Sequence, residues 1–171
     1  MKTPLNVAVI GTGYWGKNLV RNFASLGSLY GLCDLNEQSL DEAKGEYPDL
    51  KTTSSLEEIL PDERVHAVAI ATPAESHYRI VRDSLFADKH VFVEKPLALN
   101  AAELERLTTH YAELNETGSA PCLMVGFNRR FSPFIQTCKK LLAKVTEPKT
   151  MIMTVNAGDL PPDSWAHDPA V

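Results

Sequence analysis

The sequence lacks most of what marks a secreted, membrane-bound or nucleic-acid-binding protein. Its three cysteines, Cys33, Cys122 and Cys138, are an odd count with no paired spacing, which argues against a disulfide scaffold and predicts reduced, packed thiols. The histidines, His66, His77, His90, His110 and His167, lie far apart and do not combine with the cysteines into metal-ligand spacing, so no metal is expected. No stretch approaches the roughly 18 consecutive apolar residues of a membrane span, and no charged start followed by an apolar segment opens the chain. A formal charge of -5 with no Lys/Arg block gives no general attraction to phosphate backbones or anionic lipid. A cytoplasmic protein that binds neither nucleic acid nor membrane is the expectation.

What the sequence does contain is a rhythm. With 171 residues and 44% apolar side chains it can bury one ordinary core with an appendage, not two complete domains. Short β-branched and apolar runs alternate with longer stretches of helical period, which predicts an α/β fold, a doubly wound parallel sheet with helices on both faces. Strands are expected at Asn6 to Ile10, Leu29 to Cys33, Lys51 to Thr53, Val65 to Ile70, His90 to Glu94 and Cys122 to Gly126. Between them, Lys17 to Leu26, a polar stretch from Asn36, Glu75 to Ala87 and Asn100 to Glu116 read as helices, and Ser55-Leu56-Glu57-Glu58 has capping-box spacing. Ser132-Pro133 has the residue types that open one more helix, to about Leu142, and Thr150 to Val155 reads as a last strand. The Pro- and Asp-rich tail from Gly158 to Pro169 reads as loop.

A GxGxxG spacing alone is a weak signal, because it also arises in ordinary turns. Its context carries the meaning here. Gly11-Thr12-Gly13-Tyr14-Trp15-Gly16 follows a buried strand directly and opens a helix, an arrangement that aims backbone N–H groups and a positive dipole end at a pyrophosphate. Gly11 allows the tight turn, Gly13 lets phosphate approach the backbone, and Gly16 permits close helix-to-strand contact. Asp34 ends the second strand, where a carboxylate can accept hydrogen bonds from both adenosine ribose hydroxyls, or cap the next helix, or both. Its charge would repel a 2′-phosphate and Leu35 and Asn36 supply no cation to hold one, so NAD is expected in preference to NADP.

Three further segments fall at the carboxyl edge of the strands, where doubly wound sheets bind ligands. Ala71-Thr72-Pro73 either touches ribose or phosphate or is a strand-ending turn, and His77 either reaches the same cleft or caps its helix. Glu94-Lys95-Pro96 puts a lysine where its ammonium, buried between apolar strand and cofactor, could hydrogen-bond a substrate hydroxyl and stabilise negative charge on that oxygen as hydride leaves. By spacing alone, a structural Lys–Glu pair is an equally good reading. In Gly126-Phe127-Asn128-Arg129-Arg130-Phe131-Ser132-Pro133, one arginine is expected to brace a domain junction against a carboxylate. The other, with Asn128, is a candidate to face nicotinamide and substrate; Arg129 is the cofactor-binding candidate.

Taken in order, Gly11 to Gly16, Ala71-Thr72-Pro73-Ala74-Glu75-Ser76-His77, Glu94-Lys95-Pro96-Leu97 and Val125-Gly126-Phe127-Asn128-Arg129-Arg130-Phe131 resemble the successive signatures of the Gfo/Idh/MocA family, the glucose-fructose oxidoreductase and inositol dehydrogenase relatives. The resemblance covers nearly the whole chain. It implies an NAD-dependent dehydrogenase acting on a secondary alcohol of a sugar, inositol or nucleotide sugar, with Lys95 in catalysis. It further implies a dinucleotide-binding Rossmann domain over 1–126 and, over 127–171, a junction and the truncated start of an α+β domain for substrate binding and homo-oligomerisation. The proton-accepting base would come from that second domain, so the chain alone is expected to bind NAD(H) without turnover, with His167 only a stray candidate. The segment from Asn156 through Asp168 is similar to a branch associated with polysaccharide biosynthesis. A different class stays open: a non-catalytic NAD(H)-binding or regulatory module that reports to a partner through an exposed Thr150 to Val155 strand.

Overall fold

The computed structural model describes residues 5–116, 118, 120–154 and 158–159. The chain divides into two units, Met1–Asn128 and Arg129–Val171. The first holds six strands, β1 (Val7–Ile10), β2 (Leu29–Cys33), β3 (Lys51–Thr53), β4 (Ala67–Ile70), β5 (His90–Val93) and β6 (Leu123–Val125). They form one sheet in the order β3-β2-β1-β4-β5-β6 with every pairing parallel. Four helices cross over between them: α1 (Gly16–Ser25), α2 (Glu37–Glu46), α3 (His77–Phe86) and α4 (Ala101–Glu116).

The strand composition explains the layering. All four residues of β1 are buried, as expected of a central parallel strand covered on both sides. Successive side chains then feed opposite cores. Val7 and Val9 join Leu32 and Ala69 under Val20 of α1 and Leu40 of α2. Ala8 and Ile10 join Val68, Ile70, Val91 and Val93 under Ile80, Val81 and Leu85 of α3 and Leu107 of α4. Each fully buried aliphatic side chain contributes about 1.5–3 kcal/mol relative to exposure.

The loops between these elements are fastened locally. Asn36 caps α2 by accepting from the Ser39 amide at 3.3 Å. Asn100 accepts from the Glu103 amide at 2.9 Å, while the Glu103 carboxylate accepts from the Leu99 amide at 3.2 Å, so α4 starts on reciprocal bonds. The capping-box expectation at Ser55 fails. The Ser55 hydroxyl donates to the Glu57 carboxylate at 2.7 Å instead of capping, and only one 3-10 turn forms, Leu56–Glu58, ahead of Pro61. The stretch expected to be helical from Glu75 opens as a separate 3-10 turn, Ala74–Ser76, before α3 begins at His77.

A second unit is described mainly by α5 (Pro133–Leu142), which starts on Pro133 after Ser132. The strand expected at Thr150 to Val155 does not form over its described residues, 150–154, and Val155 lies outside the described residues. A strand needs a neighbour to take its backbone groups, and none pairs with this segment among the described residues. His167 and the tail from Leu160 onward also lie outside the described residues.

Candidate functional site

At the carboxyl edge of the sheet the turns after β1, β2, β4 and β5 converge. Backbone bonds set their spacing: Gly11 donates to the Cys33 carbonyl and Ala71 to the Ile10 carbonyl, both at 2.8 Å, and Glu94 donates to the Ile70 carbonyl at 2.9 Å. Within this frame the three glycines do different work. Gly11 has φ of +87°, and a Cβ there would stand 2.8 Å from the backbone of Ala71 and Thr72. A Cβ on Gly16 would meet the Gly11 carbonyl oxygen at 2.0 Å. Nothing lies within 4 Å of a Cβ built on Gly13. Two glycines therefore let the protein pack on itself, and the third leaves open space beside the N-terminus of α1, where the Lys17 amide donates to the Gly13 carbonyl at 3.1 Å and the Asn18 amide to the Trp15 carbonyl at 3.0 Å. That open cradle at a helix N-terminus fits a diphosphate.

Thr12, in the same turn, is 1% exposed. Its amide and hydroxyl both donate to Oδ2 of Asp34, at 2.6 and 2.8 Å, while Oδ1 accepts from the Asn36 amide at 2.9 Å. The carboxylate thus orders both the glycine turn and the start of α2 before any ribose arrives, and the remaining lone pair of Oδ1 is still open to a hydroxyl. Beside it lies a cleft of about 770 Å³ bordered by Gly13, Asp34, Leu35, Thr72, Pro73 and Arg79. Arg79 is a lining residue the motif reading missed. The signal was present as Ser76, Arg79 and Ile80, which share one helical face by their spacing and all border the cleft. Its guanidinium, after the Ser55 hydroxyl and the residue's own amide, helps hold the Glu57 carboxyl below its ordinary value. Cys33, also on the cleft wall, has its thiol pushed up to about 11 by burial and by the charges of Asp34, Glu57 and Glu58, which keeps it protonated and inert.

The turn after β5 is tied to the turn after β1. Trp15 Nε1 donates to Glu94 Oε1 at 2.7 Å. The same carboxylate lies over Gly126, where a Cβ would come within 3.2 Å of it. Glu94 is therefore committed to the tryptophan and does not pair with Lys95, which is exposed and has no hydrogen-bond partner among the described residues. Tyr14, next to Trp15 in the glycine turn, is 94% exposed. Pro96 is exposed, and its carbonyl turns inward to His77.

In the turn after β4, Ser76 Oγ donates to the Pro73 carbonyl at 2.8 Å and lies 2.7 Å from Thr72 Oγ1, whose hydroxyl it can accept, which closes the loop that Ala71-Thr72-Pro73 opens. His77 neither reaches into the cleft nor caps its helix. It is 1% exposed and sits between the Thr72 and Pro96 carbonyls. Asn128 and Arg129 start a one-turn 3-10 helix, Asn128–Phe131, and both are exposed. The expected brace between an arginine here and a carboxylate is not found: among the described residues Arg129 and Arg130 make no ion pair, and Arg130 lies over the Phe131 ring at 4.9 Å.

Comparison with known proteins agrees with this geometry. The model of the oxidoreductase family with an NAD-binding Rossmann fold matches residues 5–120. The myo-inositol 2-dehydrogenase of Thermotoga maritima is 30% identical over 161 residues, 92% of this chain and 46% of that protein. The scyllo-inositol 2-dehydrogenase (NADP(+)) of Bacillus subtilis is 29% identical over 140 residues, 82% of this chain and 38% of that protein. Among solved structures, the scyllo-inositol dehydrogenase of Lactobacillus casei with bound NAD(H) and scyllo-inositol has a TM-score of 0.76 at 25% identity, covering 82% of this chain and 41% of that one. The chain spans less than half the length of each of these relatives. No helix among the described residues is long and apolar enough to cross a membrane.

Proposed function

This chain belongs to the Gfo/Idh/MocA oxidoreductase family, with its NAD-binding Rossmann fold, and from that premise we propose that it is the cofactor-binding part of a dehydrogenase acting on a secondary alcohol of a sugar, inositol or nucleotide sugar. The bound dinucleotide supplies the hydride acceptor. The chain's own residues do the rest of what can be assigned to it. The open turn at Gly13 and the positive end of α1 receive the diphosphate, and Asp34 accepts from the adenosine ribose while its charge disfavours a 2′-phosphate, so NAD(H) is preferred over NADP(H). Thr72 and Pro73 border the same cleft on the opposite side.

Lys95 is assigned the substrate oxygen. An ammonium donating to that oxygen stabilises the negative charge that develops on it as the hydroxyl proton is removed, a charge that falls again as hydride leaves the carbon and the carbonyl forms, and such a charge-directed bond acts mainly in the transition state. The observation that carries this reading is the pairing of Glu94 with Trp15 and not with Lys95, which leaves the ammonium exposed at the ligand edge of the sheet. In the protein that carries this chain, Lys95→Ala is expected to lower kcat by about 10²–10³ while NADH affinity, followed by nicotinamide fluorescence, stays within a few-fold of the unmodified protein. A variant with normal turnover would reduce Lys95 to a surface cation.

A further inference from the structure

The two turns that carry Thr72 and Lys95 are joined by one side chain. His77, the first residue of α3, places Nδ1 2.6 Å from the Pro96 carbonyl oxygen and Nε2 2.8 Å from the Thr72 carbonyl oxygen. Both partners are acceptors. A neutral imidazole has one N–H and one bare nitrogen, so it can satisfy only one of them and sets a lone pair against the other. Turning the ring over does not help, because it would bring ring carbons to the same short distances. Only the imidazolium, with a proton on each nitrogen, bonds both carbonyls at once, and bonds from a charged donor are the stronger kind.

We propose that His77 is a positioning residue, a clamp that joins the Thr72 turn to the Lys95-Pro96 turn and is fully closed only when its ring carries both protons. The proposal rests on the dehydrogenase reading in giving those turns their significance; the clamp itself rests on geometry alone. With one proton the ring keeps a single bond and releases one of the two turns. If the Pro96 carbonyl is released, the backbone that aims Lys95 loses its inward anchor. If the Thr72 carbonyl is released, the wall of the cleft loosens instead. In either case the protonated clamp is the better-ordered site.

Among the described residues the ring has no hydrogen-bond partner besides these two carbonyls. On the turn before it Glu75 is exposed, and at the end of β5 Glu94 is bonded to Trp15 and Lys95 is exposed. Strand β4 carries no titratable residue. On its own helix the neighbouring Tyr78 lies against Arg82. On α4, the His110 ring packs on Phe86 at 4.1 Å and the Tyr111 hydroxyl donates to the Pro121 carbonyl at 2.9 Å.

The test is a long-range 1H–15N titration of the full chain, without cofactor, across pH 5 to 8, where histidines exchange their protons. The expected result is a His77 ring protonated on both nitrogens at the low end. One neutral tautomer, with one protonated and one bare nitrogen throughout, would overturn the clamp. Two variants in the full-length protein give the functional reading. His77→Gln presents two N–H groups on one nitrogen and should retain kcat within about threefold, whereas His77→Leu should lower it about tenfold or more, through kcat and not KM. Equal activity of the two variants and the unmodified protein would also overturn it. If the unmodified protein fails to bind NADH, the dehydrogenase reading falls while the nitrogen titration still decides the clamp.

Discussion

Helices α3 and α5 have the same length and comparable apolar content, yet they end in opposite states. In α3, Ile80, Val81 and Leu85 are all buried in the core over β4 and β5. In α5 no residue is buried, and Phe134 and Leu141 stand exposed. The same contrast runs through the extended segments. Val7 to Ile10 is a fully buried strand, whereas Met151, Ile152 and Met153 lie open, Ile152 at 94%. Both regions have the composition of core elements. What separates them is whether the described chain supplies a second layer, since an apolar stripe contributes only against a surface that removes it from water.

Matched truncations test that contrast with the largest effect. Leu85→Ala should cost about 2–5 kcal/mol, the range for emptying a well-packed aliphatic site, read from the shift in denaturant midpoint at constant slope. Leu141→Ala should fall within about 0.5 kcal/mol, as for exposed positions. Similar costs for the two would mean that α5 packs as tightly as α3.

The same contrast explains how far the sequence could be read. Strands and crossovers of the first unit were legible because a parallel sheet covered on both faces writes itself as short apolar runs separated by helical period. The expected strand positions agree with β1 to β6 to within two residues at each end. The strand expected at Thr150 to Val155 had the right local composition and lacked a neighbour, which no local pattern reports. In the site, the glycine turn, Asp34 and the β4 and β5 edges were found from motif and position. The bonds that organise them were not, because they join residues far apart in sequence: Thr12 to Asp34, Trp15 to Glu94, and His77 to Pro96. Lys95 was read from its place just past β5; the chain leaves the sheet after Val93, and the side chain is exposed there.

A charged network sharpens the comparison, because it fastens only the first unit. Asp62 accepts from the Arg64 amide and guanidinium at 3.0 Å, from Tyr30 at 3.1 Å and from Lys51 at 3.2 Å, joining β2, β3 and the loop ahead of β4. The Arg64 bonds, with those from Lys51 and Tyr30, outweigh burial and hold its carboxyl well below the usual carboxylate range. A carboxylate whose folded value is depressed adds stability that is present above its unfolded value and is lost as pH falls through the carboxylate range toward the folded value. Asp62→Asn should therefore lower stability at neutral pH and flatten the decline toward acid. Monitored by circular dichroism and amide exchange, the change should appear in the sheet and leave exchange in α5 where it was. An acid limb as steep as that of the unmodified chain would assign the acid sensitivity to other carboxylates.

The smallest effect concerns the double use of Asp34. Its Oδ2 is filled by the amide and hydroxyl of Thr12, and its Oδ1 is half filled by the Asn36 amide. Replacing Asp34 itself confuses the roles, since an asparagine would turn an NH2 group toward one of these donors and disturb the turn whatever it did to the cofactor. Thr12→Val separates them. Valine keeps the shape of the buried side chain and removes only the hydroxyl donor, so the amide bond to Oδ2 persists and one lone pair is returned to the carboxylate. One lost hydrogen bond predicts a decrease in stability of about 1 kcal/mol. Preference for NADH over NADPH, which stems from the carboxylate's charge, should be retained, and NADH affinity should hold or tighten slightly. Thr12→Ser, which restores the hydroxyl, should recover the bond. If Thr12→Val abolishes the cofactor preference while the fold persists, the hydroxyl and not the charge of Asp34 carries the discrimination, and the glycine turn and the ribose site are a single unit.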